Sequence, residues 1–146
     1  MRYIIIGSGN ISDTYAQAIP AAGSEVVGVV SRSGRKPVSR PDLSSWRTLA
    51  DVNTEFDAVC IATPNGLHHR GIIDAARLGK HALTEKPLDI SIKAMDAAIA
   101  ACSKTGVRLA VAFQRRTAPD NRAIKTLLEE GVFGRVFAVV LAAIFY

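Results

Sequence analysis

Tyr3-Ile4-Ile5-Ile6-Gly7-Ser8-Gly9-Asn10 is the stretch that decides the fold of this chain. Its apolar, mostly β-branched start predicts a short, fully buried strand that ends at a glycine. The segment 10–19 after it predicts a helix, whose apolar stripe comprises Ile11, Tyr15, Ala18 and Ile19. A buried strand that passes through a Gly-x-Gly turn into a helix is the opening unit expected of an α/β fold.

The glycines of this turn predict a phosphate site. Gly7 permits the tight turn, and Gly9 leaves room for a pyrophosphate to approach the backbone at the helix N-terminus. The third small position of such a turn is Ser12, which still allows the helix to pack closely on the strand. The pattern favours dinucleotide binding, and the alternative is a plain strand–helix turn.

The rest of the chain continues the alternation of strands and helices. Segment 31–45 is polar, basic and carries two prolines, which predicts a loop. Further strands are predicted at 25–30, 57–62, 81–84, 109–113 and 135–146, and helices at 46–52, 69–78, 91–103 (capped by Ser91) and 120–130. The alternation predicts an α/β fold with a doubly wound, mostly parallel sheet and helices on both faces.

Composition restricts the class of protein. The chain has 146 residues, of which 49% are hydrophobic and 21% charged, an ordinary globular composition for one domain. Cys60 and Cys102 lack CxxC spacing, so a reduced cytoplasmic protein is expected. Met1-Arg2 leads directly into a strand, which predicts no secretory signal, and the longest uncharged apolar run, 136–146, is too short to span a bilayer.

The formal net charge of +5 arises partly from two basic clusters. They comprise Arg32, Arg35, Lys36 and Arg40, and Arg115, Arg116, Arg122 and Lys125. Such clusters can favour phosphates or nucleic acid. No aromatic residues are interleaved with them and no nucleic-acid motif occurs, so we predict no nucleic-acid partner and treat most of these charges as a solvated surface.

The end of the second predicted strand bears on the choice of cofactor. An NAD site usually places Asp or Glu about 20 residues past the glycines, where the acid binds the ribose 2′-hydroxyl. Here that place holds Ser31-Arg32-Ser33. A carboxylate would repel a 2′-phosphate, whereas Ser31 and Arg32 can bind one, so the sequence favours NADP over NAD. The alternative for Arg32 is a solvated loop arginine.

Two further motifs follow strands of the predicted sheet. In Thr63-Pro64-Asn65-Gly66-Leu67-His68, Asn65 and His68 can hydrogen-bond a cofactor ribose or a substrate, unless His68 merely begins a helix. In Thr84-Glu85-Lys86-Pro87, Lys86 stands at the carboxyl end of a strand, where ligands bind in such sheets. A lysine there can move a proton on a substrate hydroxyl or carbonyl. The alternative is a surface Glu-Lys pair.

Together these segments resemble the glucose–fructose oxidoreductase / inositol dehydrogenase family (Gfo/Idh/MocA type). The resemblance covers most of the chain except 34–45, and its matching stretches are 4–10, 59–68, 79–88, 113–116 and 127–136. It implies NAD(P)-dependent oxidation or reduction of a secondary alcohol, commonly on sugars, cyclitols or related compounds. We predict no metal site. A non-catalytic dinucleotide-binding or sensor module is the alternative, and a phosphate- or nucleic-acid-binding domain is a third.

The resemblance also implies roles for individual residues. It assigns the pyrophosphate to Gly7, Gly9, Asn10 and Ile11. It assigns the adenosine ribose to Ser31 and Arg32, and the nicotinamide side to Thr63, Pro64, Asn65 and His68. Glu85 and Lys86 match an EKP motif, whose lysine contacts nicotinamide or substrate and assists proton transfer. Gln114 and Arg115 match a stretch near the active-site cleft.

The same resemblance predicts two domains. Residues 1–118 are expected to form the dinucleotide-binding Rossmann domain, and 119–146 a linker helix and the first strand of an incomplete second domain. Family members are usually more than twice as long, with a small-molecule substrate site completed in the second domain. The predicted strand 135–146 is apolar on both faces, so we expect the isolated chain either to self-associate through it as a homo-oligomer or to leave it disordered.

Overall fold

The computed structural model, which describes residues 1–140, contains a parallel sheet of six strands. Longer helices follow four of its strands, and short single-turn helices occupy some connections. In chain order the strands and longer helices are β1 (Arg2–Ile6), α1 (Asn10–Ala21), β2 (Glu25–Val30), β3 (Ser44–Trp46), β4 (Ala58–Ile61), α2 (His68–Arg77), β5 (His81–Thr84), α3 (Ile92–Thr105), β6 (Leu109–Val111) and α4 (Pro119–Glu129).

The strand order is β3-β2-β1-β4-β5-β6, and every adjacent pair is parallel. The chain therefore builds outward from β1 to β3, then returns to the other side of β1 and builds outward again. The point between β1 and β4, where the direction reverses, is where sheets of this kind bind ligands at the carboxyl ends of their strands. The predicted doubly wound Rossmann fold is confirmed.

The core lies on both faces of the sheet, because successive residues of a strand point to opposite sides. Ile4 belongs to the cluster that packs under α2 and α3, and Ile5 belongs to the cluster under α1. Both side chains are 0% exposed. Burial of such a side chain stabilises a fold by about 1.5–3 kcal/mol, so the β-branched start of the chain contributes strongly to both layers.

Helix α1 begins where predicted, but the apolar stripe predicted for it is only half right: Ile19 is buried and Tyr15 packs against the core, whereas Ile11 and Ala18 are exposed. Ser12, Ala16 and Ile19 are its buried residues, whereas Ile11 is 47% exposed. Two of the three buried residues are small, and this lets the helix backbone approach the sheet closely. Ser91 is the N-cap of α3, as predicted, but its side chain makes no capping hydrogen bond.

The segment after the basic loop also differs from the prediction. Instead of a helix over 46–52, Trp46 ends the edge strand β3 and only Leu49–Asp51 forms a single helical turn. Trp46 pairs with Val30 in register and covers Gly28, where a Cβ atom would lie 2.2 Å from the indole ring. Packing of one aromatic side chain over a glycine thus overrides the weak local helix signal.

The described chain divides into two compact units, residues 1–112 and the residues from Phe113 onward. The second unit contains a helical turn, Gln114–Thr117, and α4. The strand predicted at 135–146 is wrong for residues 135–140, which pair with no neighbour in the described chain, and the remainder of it lies outside the described residues. The predicted domain boundary at 118 stays a prediction. Within residues 1–140 no helix has the length and hydrophobicity needed to cross a bilayer.

Candidate functional site

Three turns lie side by side at the carboxyl edge of the sheet. Backbone hydrogen bonds continue the strand ladders into these turns and fix them to one another. The donor–acceptor distances are 2.9 Å for Gly7 N–H to Val30, 2.8 Å for Ala62 N–H to Ile6, and 3.0 Å for Glu85 N–H to Ile61. The glycine turn, the turn after β4 and the Lys86 loop are therefore held on one rigid platform.

The glycine turn is built for close backbone approach. Gly7 has φ +121°, and a Cβ atom on it would lie 2.5 Å from the carbonyl oxygen of Ala62, so only glycine fits there. Gly9 is the N-cap of α1, and a Cβ atom on it would meet nothing within 4 Å. Asn10 and Ile11 follow it and are exposed. The N-terminus of α1, where N–H groups lack intrahelical partners, thus opens to solvent.

A cleft of about 180 Å³ lies beside this helix terminus. It is lined by Ser8, Gly9, Asn10, Asp13, Lys36, Pro37 and Val38. Asp13 ties the basic loop to α1, because its carboxylate accepts the Ser39 N–H at 2.7 Å and the Gln17 amide at 3.1 Å. The hydrogen bond from the Ser39 backbone lowers the pKa of Asp13. The cleft therefore places one lysine near the open helix terminus.

Ser31 joins the end of β2 to the glycine turn. Its hydroxyl donates to Ser8 Oγ at 3.0 Å and lies 3.1 Å from Ser33 Oγ, and the residue is only 5% exposed. Arg32, the next residue, is exposed. The position after β2 therefore presents hydroxyl groups and a guanidinium group.

His68 occupies a different environment from Asn65, although they belong to the same motif. Pro64 and Asn65 are exposed and Thr63 is partly buried, whereas His68 is 0% exposed. Its Nδ1 lies 2.8 Å from the Pro87 carbonyl oxygen and its Nε2 lies 2.8 Å from the Thr63 carbonyl oxygen. The imidazole thus joins the turn after β4 to the Lys86 loop, and its burial turns it away from the open edge of the sheet.

Hydrogen bonds to the Glu85 carboxylate hold the start of the Lys86 loop. Glu85 Oε1 accepts a 2.6 Å hydrogen bond from the Tyr15 hydroxyl of α1, and Oε2 accepts the Lys86 backbone N–H at 3.2 Å. Burial, then the hydrogen bond to Glu85, raises the pKa of Tyr15 well above its ordinary value. Lys86 itself is exposed, and its peptide bond to Pro87 is cis.

Asp89 fixes the far end of this loop to α2. Its carboxylate, 2% exposed, accepts the backbone N–H of His69 at 3.1 Å and that of Ile90 at 2.8 Å, and lies 2.8 Å from His69 Nδ1. Burial alone would raise the pKa of Asp89, but these hydrogen bonds outweigh it and lower the pKa to about 2. Asp89 was not predicted from the sequence. A carboxylate just before a predicted helix is a capping signal, but this one caps α2, which precedes it.

The first unit brings together the predicted residues from Gly7 to Lys86 at one edge of its sheet. Gln114 and Arg115 belong to the second unit, in the turn before α4. There Arg115 donates to Asp120 at 3.1 Å, and the Asn121 amide donates to the Arg115 carbonyl at 2.7 Å. The arrangement in the first unit can bind an anion at the α1 terminus and offers the exposed amine of Lys86 for proton transfer.

Over most of its length this chain is similar to known oxidoreductases. The model of a family described as "Oxidoreductase family, NAD-binding Rossmann fold" matches residues 1–113. The 1,5-anhydro-D-fructose reductase of Ensifer adhaerens is 31% identical over 144 residues, which cover 94% of this chain and 43% of the reductase. Inositol 2-dehydrogenase of Rhizobium meliloti is 27% identical over 150 residues, which cover 98% of this chain and 45% of the dehydrogenase.

A solved structure is similar over the same range. The WlbA dehydrogenase from Bordetella pertussis, in complex with NADH and UDP-GlcNAcA, matches with a TM-score of 0.85 and 29% sequence identity, over 94% of this chain and 42% of the WlbA chain. The chain spans about two fifths of the length of the proteins that it matches.

Proposed function

The chain belongs to the Gfo/Idh/MocA oxidoreductase family, and we propose that the protein carrying it is an NAD(P)-dependent dehydrogenase of a sugar, cyclitol or similar small molecule. The reacting group is a secondary alcohol or its carbonyl. The named relatives, an anhydrofructose reductase and an inositol dehydrogenase, support this substrate class. In this proposal residues 1–118 are the dinucleotide-binding domain and residues 119–146 begin a second domain.

One observation carries the proposal: the open N-terminus of α1 shares the carboxyl edge of the sheet with the loop that presents Lys86. The glycine turn fits a dinucleotide pyrophosphate, because the missing Cβ of Gly9 leaves open space at the helix terminus. Gly7 keeps the turn close to β4, and Asn10 and Ile11 contribute the first N–H groups of the helix. Ser12 Oγ, buried in that first turn, has no hydrogen-bond partner among the described residues.

We assign the adenosine ribose to the hydroxyl and guanidinium groups after β2, with NADP favoured over NAD. Ser31 faces the glycine turn through Ser8, so it stands close to the place where the ribose enters. Arg32 is exposed and can bind a 2′-phosphate with charge-assisted hydrogen bonds. Lys36, on the cleft beside α1, adds a second cation.

A bound nicotinamide supplies the hydride chemistry, and the protein supplies position and a proton donor or acceptor. Thr63, Pro64 and Asn65 line the nicotinamide side in this assignment. Lys86 donates a proton to the substrate oxygen during reduction or accepts it during oxidation, directly or through water. His68 and Glu85, whose polar atoms are occupied within the protein, position the turn and the loop around them.

Titration of both cofactors into the purified chain tests the proposal. We expect NADPH fluorescence to report saturable binding below millimolar concentration, with NADH binding more weakly. Loss of binding for both cofactors at millimolar levels would overturn the dinucleotide assignment. Binding by the protein that carries this chain, without oxidation or reduction of any sugar or cyclitol in a substrate panel, would instead favour a non-catalytic sensor.

Two further proposals concern location and assembly. Cys60 and Cys102 are free and buried, which is consistent with a reducing compartment such as the cytoplasm.

Val136, Phe137, Val139 and Val140 are between 44% and 93% exposed, and such an apolar stretch favours self-association. Light scattering over a range of protein concentrations tests for a homo-oligomer, and a monomer at all concentrations would contradict it.

A further inference from the structure

The contact between Tyr15 and Glu85 connects the phosphate-binding helix to the lysine loop. The two residues are 70 positions apart in sequence, and their 2.6 Å hydrogen bond joins the side of α1 to the end of β5. Tyr15 is partly buried against the core cluster under α1, so its ring is held by packing and its hydroxyl has a defined direction. Glu85 is also partly buried. The bond therefore fixes a carboxylate whose reorientation would otherwise be free.

The second oxygen of the same carboxylate is also engaged. Glu85 Oε2 accepts the backbone N–H of Lys86 at 3.2 Å, so both oxygens have partners that leave the Lys86 ammonium group out. Within residues 1–140, the ammonium group of Lys86 forms no ion pair with a carboxylate. This is notable because Glu85 is its immediate neighbour in sequence.

We propose that Tyr15 is a positioning residue, which holds the Glu85 carboxylate away from Lys86 and so keeps the amine of Lys86 free for the substrate. Without the Tyr15 hydroxyl, one oxygen of a partly buried carboxylate loses its donor. An unsatisfied buried acceptor is costly, and the nearest cation along the chain is Lys86. The carboxylate then turns toward Lys86 and forms an ion pair that competes with substrate.

The functional meaning of this contact rests on the proposed proton-transfer role of Lys86, but the contact can be tested without cofactor or substrate. The measurement is the rate at which Lys86 is acetylated by trace acetic anhydride, determined by peptide mass spectrometry. The exposed Lys93 and Lys104 of α3 serve as internal standards. An amine in an ion pair with a carboxylate reacts more slowly than a free one.

Tyr15→Phe is expected to slow acetylation of Lys86 by about two- to fivefold, which is the effect of an exposed ion pair on an equilibrium. Lys93 and Lys104 should be unaffected. Tyr3→Phe is the matched control, because Tyr3 packs against the same core cluster but its hydroxyl faces Met1 Sδ at 3.7 Å. Equal Lys86 rates in the Tyr15→Phe and Tyr3→Phe proteins would overturn the proposal.

A rescue variant separates positioning from a merely structural role. The double variant Tyr15→Phe/Glu85→Gln removes the negative charge, so the Lys86 rate should return to that of the original protein; persistence of the slow rate would overturn the proposal. Glu85→Gln alone keeps Tyr15, so it provides a test even if the Tyr15→Phe protein does not fold. It should leave the Lys86 rate unchanged, whereas an increase of about two- to fivefold would show that Glu85 already pairs with Lys86 and would overturn the proposal.

A parallel measurement with NADPH present keeps the two proposals distinguishable. Protection of Lys86 from acetylation by NADPH supports its place at the dinucleotide. Absence of protection counts against the assignment of Lys86 to the dinucleotide site. The positioning role of Tyr15 is still tested by the comparison of Tyr15→Phe with Tyr3→Phe, which needs no cofactor.

Discussion

Gly7 approaches the carbonyl oxygen of Ala62 so closely that a Cβ atom on Gly7 would lie 2.5 Å from it. The two residues directly follow neighbouring strands, β1 and β4, at the point where the strand order reverses. Gly7 also has φ +121°, which L side chains rarely adopt. The two glycines of the turn therefore differ: the fold requires Gly7, whereas in our proposal Gly9 leaves room for the dinucleotide.

We therefore expect Gly7→Ala to lower the stability of the fold and Gly9→Ser to weaken cofactor binding. Gly7→Ala should lower the free energy of unfolding by about 2–5 kcal/mol through backbone strain and the clash with Ala62. Gly9→Ser should change it by less than about 1 kcal/mol, because serine is a favoured N-cap and its side chain enters open space. Gly9→Ser should nevertheless weaken NADPH binding by about tenfold or more. Urea denaturation and fluorescence titration measure the two effects, and equal destabilisation by both changes would contradict the assignment.

Arg32→Ala tests the choice between the two cofactors. If the guanidinium group binds a 2′-phosphate, affinity for NADPH should fall by about tenfold or more while affinity for NADH stays within about twofold. Arg77→Ala on α2 is the control, because that arginine is exposed and, within residues 1–140, its ion pair is a local one with Asp74. An equal loss of affinity for both cofactors in Arg32→Ala would exclude Arg32 from the recognition of a 2′-phosphate. A preference of the original protein for NADH would exclude it as well.

Lys86→Met tests proton transfer in the protein that carries this chain. Turnover of a sugar or cyclitol substrate should fall by about 10²–10⁴-fold, the usual contribution of a general acid or base. Cofactor affinity should be largely retained, since the dinucleotide phosphates are assigned to α1. Lys93→Met, an exposed change on α3, is the matched control. Unchanged kcat in Lys86→Met would exclude Lys86 from the mechanism.

Asp89 should give the fold a measurable dependence on acid pH. Its pKa falls from the ordinary value of 3.8 to about 2 because the carboxylate accepts hydrogen bonds from His69 and Ile90. A carboxylate with a lowered pKa in the folded state contributes stability that is complete above the unfolded value and disappears as pH falls through the folded value. The stabilisation by Asp89 should therefore disappear between about pH 4 and pH 2.

Asp89→Asn should lower the free energy of unfolding at pH 7 by about 1.5–3 kcal/mol, the value of hydrogen bonds to a charged group. The difference between the two proteins should shrink as pH falls from about 4 toward 2. Asp96→Asn on the exposed side of α3 should change little at any pH. Urea denaturation at a series of pH values provides the measurement, and a difference that stays constant down to pH 2 would contradict the role given to Asp89.

Local patterns identified much of the sheet and its glycine turn. Strands 25–30 and 81–84 were predicted with the bounds that the structure has. The first strand was predicted to begin at Tyr3, one residue later than its observed start at Arg2. Runs of β-branched residues bounded by turn residues are a local signal, and Gly7 and Gly9 mark the turn in the same way. The polar edge strand at Ser44–Trp46 was missed, because its signal is the fit of Trp46 over Gly28 and not its own composition.

The partners of the site residues were beyond the reach of local patterns. Nothing in the neighbourhood of Glu85 points to Tyr15, and nothing near His68 points to the carbonyl oxygen of Pro87. The core-facing side of α1 was likewise misjudged, because Ser12 and Ala16 pack by their small size whereas the more apolar Ile11 faces solvent. Each of these contacts depends on how elements distant in sequence meet across the sheet.

By itself, the sequence determined the class of fold, the family and the place of the glycine turn and of Lys86, because hydrophobic period, turn glycines and short motifs are written in neighbouring residues. Only the tertiary structure decided which side chains point outward and which act within. In the folded chain Lys86 is exposed, His68 and Asp89 are buried, and Glu85 accepts a hydrogen bond from Tyr15. The physical reason is that burial and hydrogen-bond pairing are properties of the assembled sheet. Its side chains find partners in segments as far apart in sequence as Tyr15 and Glu85, which are separated by 70 positions.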